Sequence, residues 1–281
     1  MLQKNVDLYN YFGIERPLGA QGYLDCYVIE RSKEFSADRL RPAMLVIGGG
    51  GYAMVSDREK EPIALDFLSK GYDAFVLEYS TKLSGAVYYP YQLLEGCMAM
   101  AYIRENSDEF GVDKNHVGAI GFSAGGHLCA MIATISDEKV IKDFLGEKTS
   151  LCRPDAVVLS YPVICYGEFA HMGSFQNLTN CNEQQMEQLS LEKRVTDKTS
   201  PTFIWSTVED IVVPCENTLM FATALRKAGV PFEMHVFENG RHGLSLASDE
   251  VNSPVPATSE WLKLMYTWLN NRGFKISNQE K

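Results

Sequence analysis

Short apolar runs alternate with amphipathic stretches along most of the chain, and this rhythm predicts an α/β protein. From Gly22 to Glu30, Leu24, Cys26 and Val28 fall on every second position, which predicts an early strand with one exposed face. Ala43 to Ile47 is a continuous apolar run that ends in four glycines, Gly48 to Gly51. Ala74 to Tyr79, Val117 to Ile120, Ala156 to Tyr161, Thr202 to Thr207 and Glu233 to Phe237 read as further strands, and Pro162 stops one of them. Between the strands, Glu59 to Lys70, Tyr91 to Asn106, Gly126 to Ala133, Cys215 to Lys227 and Ser259 to Asn271 read as helices. Gly71 supplies a C-terminal cap signal for the first. Apolar strands separated by helices predict a mainly parallel central sheet covered by helices on both faces.

One segment breaks the rhythm. Residues 162–201 hold no clear strand, only a short helical stretch near Glu183 to Leu191 among Gly167, His171, Gly173, Asn177 and Asn180. An insertion this long inside a compact domain is usually functional, and it reads as a short lid beside an active site. There is no linker, repeat or low-complexity tract, so residues 1–281 read as a single domain.

The chemistry concentrates at Gly121-Phe122-Ser123-Ala124-Gly125, between a strand and a helix. A Gly-x-Ser-x-Gly in that context is the nucleophile-elbow arrangement. A serine hydroxyl needs a base to take its proton. His235 lies within a strand, His116 before one, His127 on the helix after Ser123 and His171 in the insertion. His242, in the glycine-flanked loop after the last strand, is where such a sheet places an active-site group. The base in turn needs a carboxylate to hold its tautomer. Asp210 follows Thr202 to Thr207 and gives the chain order Ser, Asp, His, with neighbouring Glu209 as the alternative. Acyl transfer also needs donors for an oxyanion, which the bare N–H groups of Gly48 to Gly51 and that of Ala124 can supply. Gly48-x-Gly50-x-x-Ala53 also matches a dinucleotide fingerprint formally, but the helix that motif requires starts too late, after Asp57 and Pro62.

Composition narrows the field further. The chain has 281 residues and a net charge of -10, without a basic run, which argues against nucleic acid and anionic membranes as partners. No uncharged stretch is long enough to span a bilayer. The first residues carry no signal-peptide pattern, and the seven cysteines show no close pairing, so reduced thiols in a cytoplasmic protein are expected. No Cys/His cluster of metal type occurs, and serine chemistry requires no metal or cofactor.

These motifs together resemble the α/β-hydrolase superfamily, and more narrowly its small acetyl-esterase branch, which includes xylan acetyl esterases and bacterial proteins labelled esterase/lipase or xylanase B-like. The landmarks are Gly49-Gly50-Gly51-Tyr52, Gly121 to His127, Ser160-Tyr161-Pro162-Val163, His171-x-Gly173-Ser174-Phe175, Trp205 followed by Glu209-Asp210, and Gly240-Arg241-His242-Gly243. They run over nearly the whole chain. The resemblance implies the α/β-hydrolase fold, Ser123 as nucleophile with His242 and Asp210, and an oxyanion hole from Gly50, Gly51 and Ala124. It departs from the branch at Gly48, where Pro or His is usual, and at Ser206, where His is common. It implies a carboxylic ester hydrolase acting on short acyl groups, O-acetyl groups of oligosaccharides among them. Tyr52, Phe169 and Phe175 are expected to line a small acyl slot, with His171 contacting the alcohol side of a small-molecule ester or acetylated sugar. A homo-oligomer is compatible with this reading. The alternatives are an amidase or arylformamidase of the same fold, and a non-catalytic binding protein built on it.

Overall fold

A computed structural model describes residues 1–32, 34 and 39–278. The strands are β1 (Leu2–Asp7), β2 (Tyr23–Val28), β3 (Arg39–Ile47), β4 (Asp73–Glu78), β5 (Val112–Phe122), β6 (Val157–Ser160), β7 (Thr202–Thr207) and β8 (Phe232–Phe237). They lie in the order β1-β2-β4-β3-β5-β6-β7-β8, and a short ninth strand, Ser277–Asn278, pairs with β3. β1 and β2 run antiparallel to their neighbours, while β4, β3, β5, β6, β7 and β8 pair in parallel. This is the mainly parallel, doubly covered sheet of an α/β hydrolase.

Period-two alternation sorts each central strand between two buried clusters. Ala43, Leu45 and Ile47 enter one cluster, packed by the Tyr91–Glu105 and Ala124–Ile135 helices. Met44 and Val46 enter the other, packed by the Glu61–Ser69 and Trp261–Asn270 helices. Ile47 pairs with Gly121, Gly121 with Leu159, Leu159 with Ile204, and Ile204 with Met234. The register therefore brings the carboxyl ends of five strands to one edge. The loops leaving that edge carry Gly48 to Gly51, Ser123, Tyr161, Asp210 and His242.

Several elements have no counterpart in the hydrophobic pattern. β1 is exposed except at Val6, so it carries no apolar alternation and is held by backbone pairing with β2. The helices Leu8–Phe12, Lys139–Leu145 and Met172–Thr179 are also unanticipated. The insertion is less polar in effect than its letters suggest. Phe175, Leu178, Met186, Leu189 and Leu191 are buried in the main core. The Leu178 carbonyl accepts the N–H of Tyr89, which ties the insertion to its surroundings, and the Ile164 carbonyl accepts the N–H of Leu191 within it. All seven cysteines are free thiols. Among the described residues, no helix is long and apolar enough to cross a membrane.

Candidate active site

Ser123 stands between β5 and the Ala124–Ile135 helix with φ 53° and ψ -119°. A non-glycine residue held there carries strain of about 1–3 kcal/mol, which persists only where the surroundings enforce it. They do so here through three bonds: Ser123 N–H donates to Ser160, while its carbonyl accepts from Val163 and His127. Close approach fixes the flanking glycines. A Cβ on Gly125 would lie 2.3 Å from the carbonyl oxygens of both Ile47 and Gly48. Neither backbone oxygen can move aside cheaply. Gly125→Ala is therefore expected to destabilise the fold by about 3 kcal/mol or more, measured by denaturant unfolding. A wild-type midpoint would contradict that packing.

The hydroxyl of Ser123 lies 2.8 Å from His242 Nε2, and His242 Nδ1 lies 2.6 Å from Asp210 Oδ2. Asp210 Oδ1 accepts the N–H groups of Val212 and Val213, both at 2.9 Å. The carboxylate is thus locked by its own turn and aimed at the ring. With Nδ1–H donating to Asp210, Nε2 is left to accept the Ser123 proton. The Tyr161 ring stands edge-on to His242, with centroids 5.1 Å apart. Glu209 points elsewhere. It accepts from Gly240 N–H and Asn239 Nδ2 and so braces the His242 loop, and these bonds lower its pKa.

The glycine loop is fixed through its other backbone groups. Tyr79 donates to the Gly48 carbonyl, Ser56 N–H to Gly49, Ala53 N–H to Gly50, and Asn177 Nδ2 to Gly51. The N–H groups of Gly50, Gly51 and Ala124 have no partner among the described residues. Gly50 and Gly51 adopt φ 123° and 64°. A 3-10 turn at Asp57–Glu59 separates the loop from the next helix, so the helix start needed by the dinucleotide fingerprint is missing. Among the described residues, no cluster of three or more His, Cys, Asp or Glu side chains is placed to hold a metal ion.

Three of the other histidines are committed to partners elsewhere, and the fourth, His171, in part. His127 is buried, receives the Tyr52 hydroxyl at Nδ1 and donates from Nε2 to the Leu189 carbonyl. Burial lowers its pKa to about 4, so it stays neutral. His116 pairs with Asp113, and His235 with Glu233 on β8. His171 bonds Ser174 through Nδ1 and lies near Gly51, its Nε2 without a partner among the described residues. Burial first, then the nearby His242, keep its pKa below the ordinary value.

The expectation for Tyr52 and Phe175 needs correction. Each is only 1% exposed. Tyr52 has φ 56°, which turns its side chain inward to His127, and Phe175 packs edge-on against the same imidazole. The two rings pack against His127 in the core rather than lining an open slot.

A model of the BD-FAE family, an α/β-hydrolase family, matches residues 24–225. The chain belongs to the BD-FAE family. It is 43% identical over 217 residues to an endo-1,4-beta-xylanase B of Butyrivibrio fibrisolvens, covering 76% of this chain and 34% of that protein. It is 28% identical over 214 residues to an acetylxylan esterase of Xylanibacter ruminicola, covering 73% of this chain and 42% of that protein. It thus spans less than half the length of these two relatives. The crystal structure of an acetyl ester-xyloside bifunctional hydrolase from Caldicellulosiruptor lactoaceticus superimposes with a TM-score of 0.82 at 37% identity, covering 97% of both chains.

Three residues that the sequence reading did not single out for a role stand at the edge of this BD-FAE site. Asn177 holds the Gly51 carbonyl. Tyr161 and Glu59 hydrogen-bond to each other behind the glycine loop. Tyr161 belongs to the Ser160-Tyr161-Pro162-Val163 motif, but Glu59 sits in the charged run Arg58 to Glu61, where nothing in the letters marks one acid as buried.

Proposed function

We propose that this chain is a serine carboxylic ester hydrolase that removes short acyl groups, acetyl above all, from the hydroxyls of oligosaccharides. The observation that carries the reading is the line Ser123, His242, Asp210 at 2.8 and 2.6 Å, beside three unpartnered N–H groups. Ser123 Oγ attacks the ester carbonyl as His242 Nε2 takes its proton. The N–H groups of Gly50, Gly51 and Ala124 receive the developing oxyanion. His242 returns the proton to the leaving alcohol, giving an acyl-enzyme and a free hydroxyl. Water, deprotonated by His242, then releases the carboxylic acid and restores Ser123. Support for acetyl as the acyl group comes from an acetylxylan esterase and an acetyl ester-xyloside hydrolase among the chain's likenesses. The xylanase activity named for the Butyrivibrio relative does not carry over, because the chain spans 34% of that protein.

A fluorophosphonate probe tests the serine mechanism: one label per chain, on Ser123, supports it, and labelling that persists in Ser123→Ala ends it. The acyl preference follows from packing. A long acyl chain gains about 0.8 kcal/mol per buried CH₂, yet Phe175, Leu178, Met186, Leu189 and Leu191 of the insertion are already buried in the core, which leaves Phe169 and Met172 partly exposed. On a matched nitrophenyl series, kcat/KM for octanoyl is expected to fall about tenfold or more below acetyl. A rise with chain length would remove the acetyl reading while leaving the serine mechanism. His171 offers its free Nε2 to a sugar hydroxyl. His171→Ala should cost about fivefold to tenfold in kcat/KM on acetylated xylo-oligosaccharides and little on nitrophenyl acetate. Equal losses on both would assign His171 to structure. Faster turnover of aryl formamides than of acetyl esters would replace the ester by an amide.

A further inference from the structure

Behind the glycine loop lies a carboxylate that the reaction described above does not use. Glu59 is 2% exposed. Its Oε2 accepts the N–H of Gly49 at 2.7 Å and its Oε1 accepts the hydroxyl of Tyr161 at 2.6 Å. The Tyr161 oxygen in turn accepts the N–H of Ser245, three residues past His242, at 2.8 Å. The Ser245 hydroxyl donates to the carbonyl of Arg58 at 2.5 Å. An ideal Cβ on Gly49 would lie 2.8 Å from Glu59 Oε2 and 2.9 Å from Ser123 Cβ. The glycine is thus sandwiched between this carboxylate and the nucleophile.

We infer that Glu59 is a positioning residue for acyl transfer: it pins Gly49 so that the next N–H groups face the oxyanion, and through Tyr161 it holds the His242 loop. The inference rests on the roles proposed above for Ser123, His242 and Asp210. A carboxylate is acceptor-only, and both groups that face this one are donors. Gly49 N–H is consumed by Glu59, while the N–H groups of Gly50 and Gly51 stay without a partner among the described residues. Burial raises the pKa of Glu59, while its bonds to Tyr161 and Gly49 and the nearby His242 and Arg58 favour the ionised form.

Glutamine cannot replace it. With its oxygen on Gly49, its amide faces Tyr161, whose hydroxyl then meets two donors and loses the acceptor for its own proton. Flipped, its N–H groups meet the Gly49 N–H. Either orientation breaks the floor of the oxyanion loop.

The test is steady-state kinetics on nitrophenyl acetate at neutral pH, with folding checked by circular dichroism. Glu59→Gln should lower kcat by about 10²-fold, as for a misplaced oxyanion donor, with KM within about threefold. Glu59→Asp keeps the acceptor but shortens the reach; it should recover part of that loss, with kcat about tenfold down. The inference is overturned by wild-type kcat in Glu59→Gln. A loss that only tracks the folded fraction overturns it as well. If Glu59→Gln does not fold, wild-type kcat in Glu59→Asp overturns it. Ser123→Ala serves as the control. If it is inactive while the Glu59 variants are normal, only the role of Glu59 falls. If it is active, the underlying serine mechanism falls too.

Discussion

Ser123→Ala is expected to lower kcat on acetyl esters by about 10⁴-fold or more, with the fold intact. The loss is this large because no other group can take over. The hydroxyl sits 2.8 Å from His242 Nε2 at the tip of a backbone turn that the fold holds at φ 53°. Alanine tolerates that turn no worse than serine, so thermal unfolding should change little while turnover collapses. The residual rate reports what the oxyanion donors and substrate binding supply without a nucleophile. Full activity in this variant would refute the covalent mechanism.

Asp210→Asn is the second large effect, expected at about 10⁴-fold in kcat. Asp210 Oδ1 is held by Val212 and Val213 N–H, so Oδ2 is the atom presented to His242 Nδ1 at 2.6 Å. In the variant the amide oxygen keeps the two backbone donors, because its nitrogen cannot accept them. The amide nitrogen then faces Nδ1 and favours the tautomer protonated on Nε2, the wrong one to accept the serine proton. Glu209→Gln should be mild by comparison, since Glu209 braces Gly240 and Asn239 instead of the ring. A crippled Glu209→Gln beside a mild Asp210→Asn would reverse the assignment of the acid.

Much of the fold was legible because the central strands are buried on both faces and read as unbroken apolar runs. β3 and β5 begin earlier than their apolar stretches suggest, since their first residues, Arg39 to Arg41 and Asp113 to His116, are partly or well exposed. β1 was not legible for the same reason: a polar edge strand owes its existence to its partner. In the insertion, polar letters concealed an apolar face. Asn177 and His171 turn toward the glycine loop, while Phe175 and Leu178 on the same helix enter the core.

At the site, motif spacing pointed to residues far apart in the chain, and the carboxyl edge of the sheet brings Ser123, His242 and Asp210 into one hydrogen-bonded line. Tyr52 was misjudged because its place after the glycines suggests a substrate contact, whereas a positive φ sends its ring into the core. Glu59 could not be found from the sequence. Its burial arises from loops contributed by Gly49, Tyr161 and Ser245, which no local pattern joins.

The central claim is that an acyl group passes through Ser123. Rapid acid quench of turnover on an acetyl ester, followed by peptide mass mapping, tests it most directly. The account predicts one acetyl group on the peptide that contains Ser123, formed within the first turnover and absent from Ser123→Ala. Full turnover with no adduct, or with the acetyl group on another residue, would contradict it.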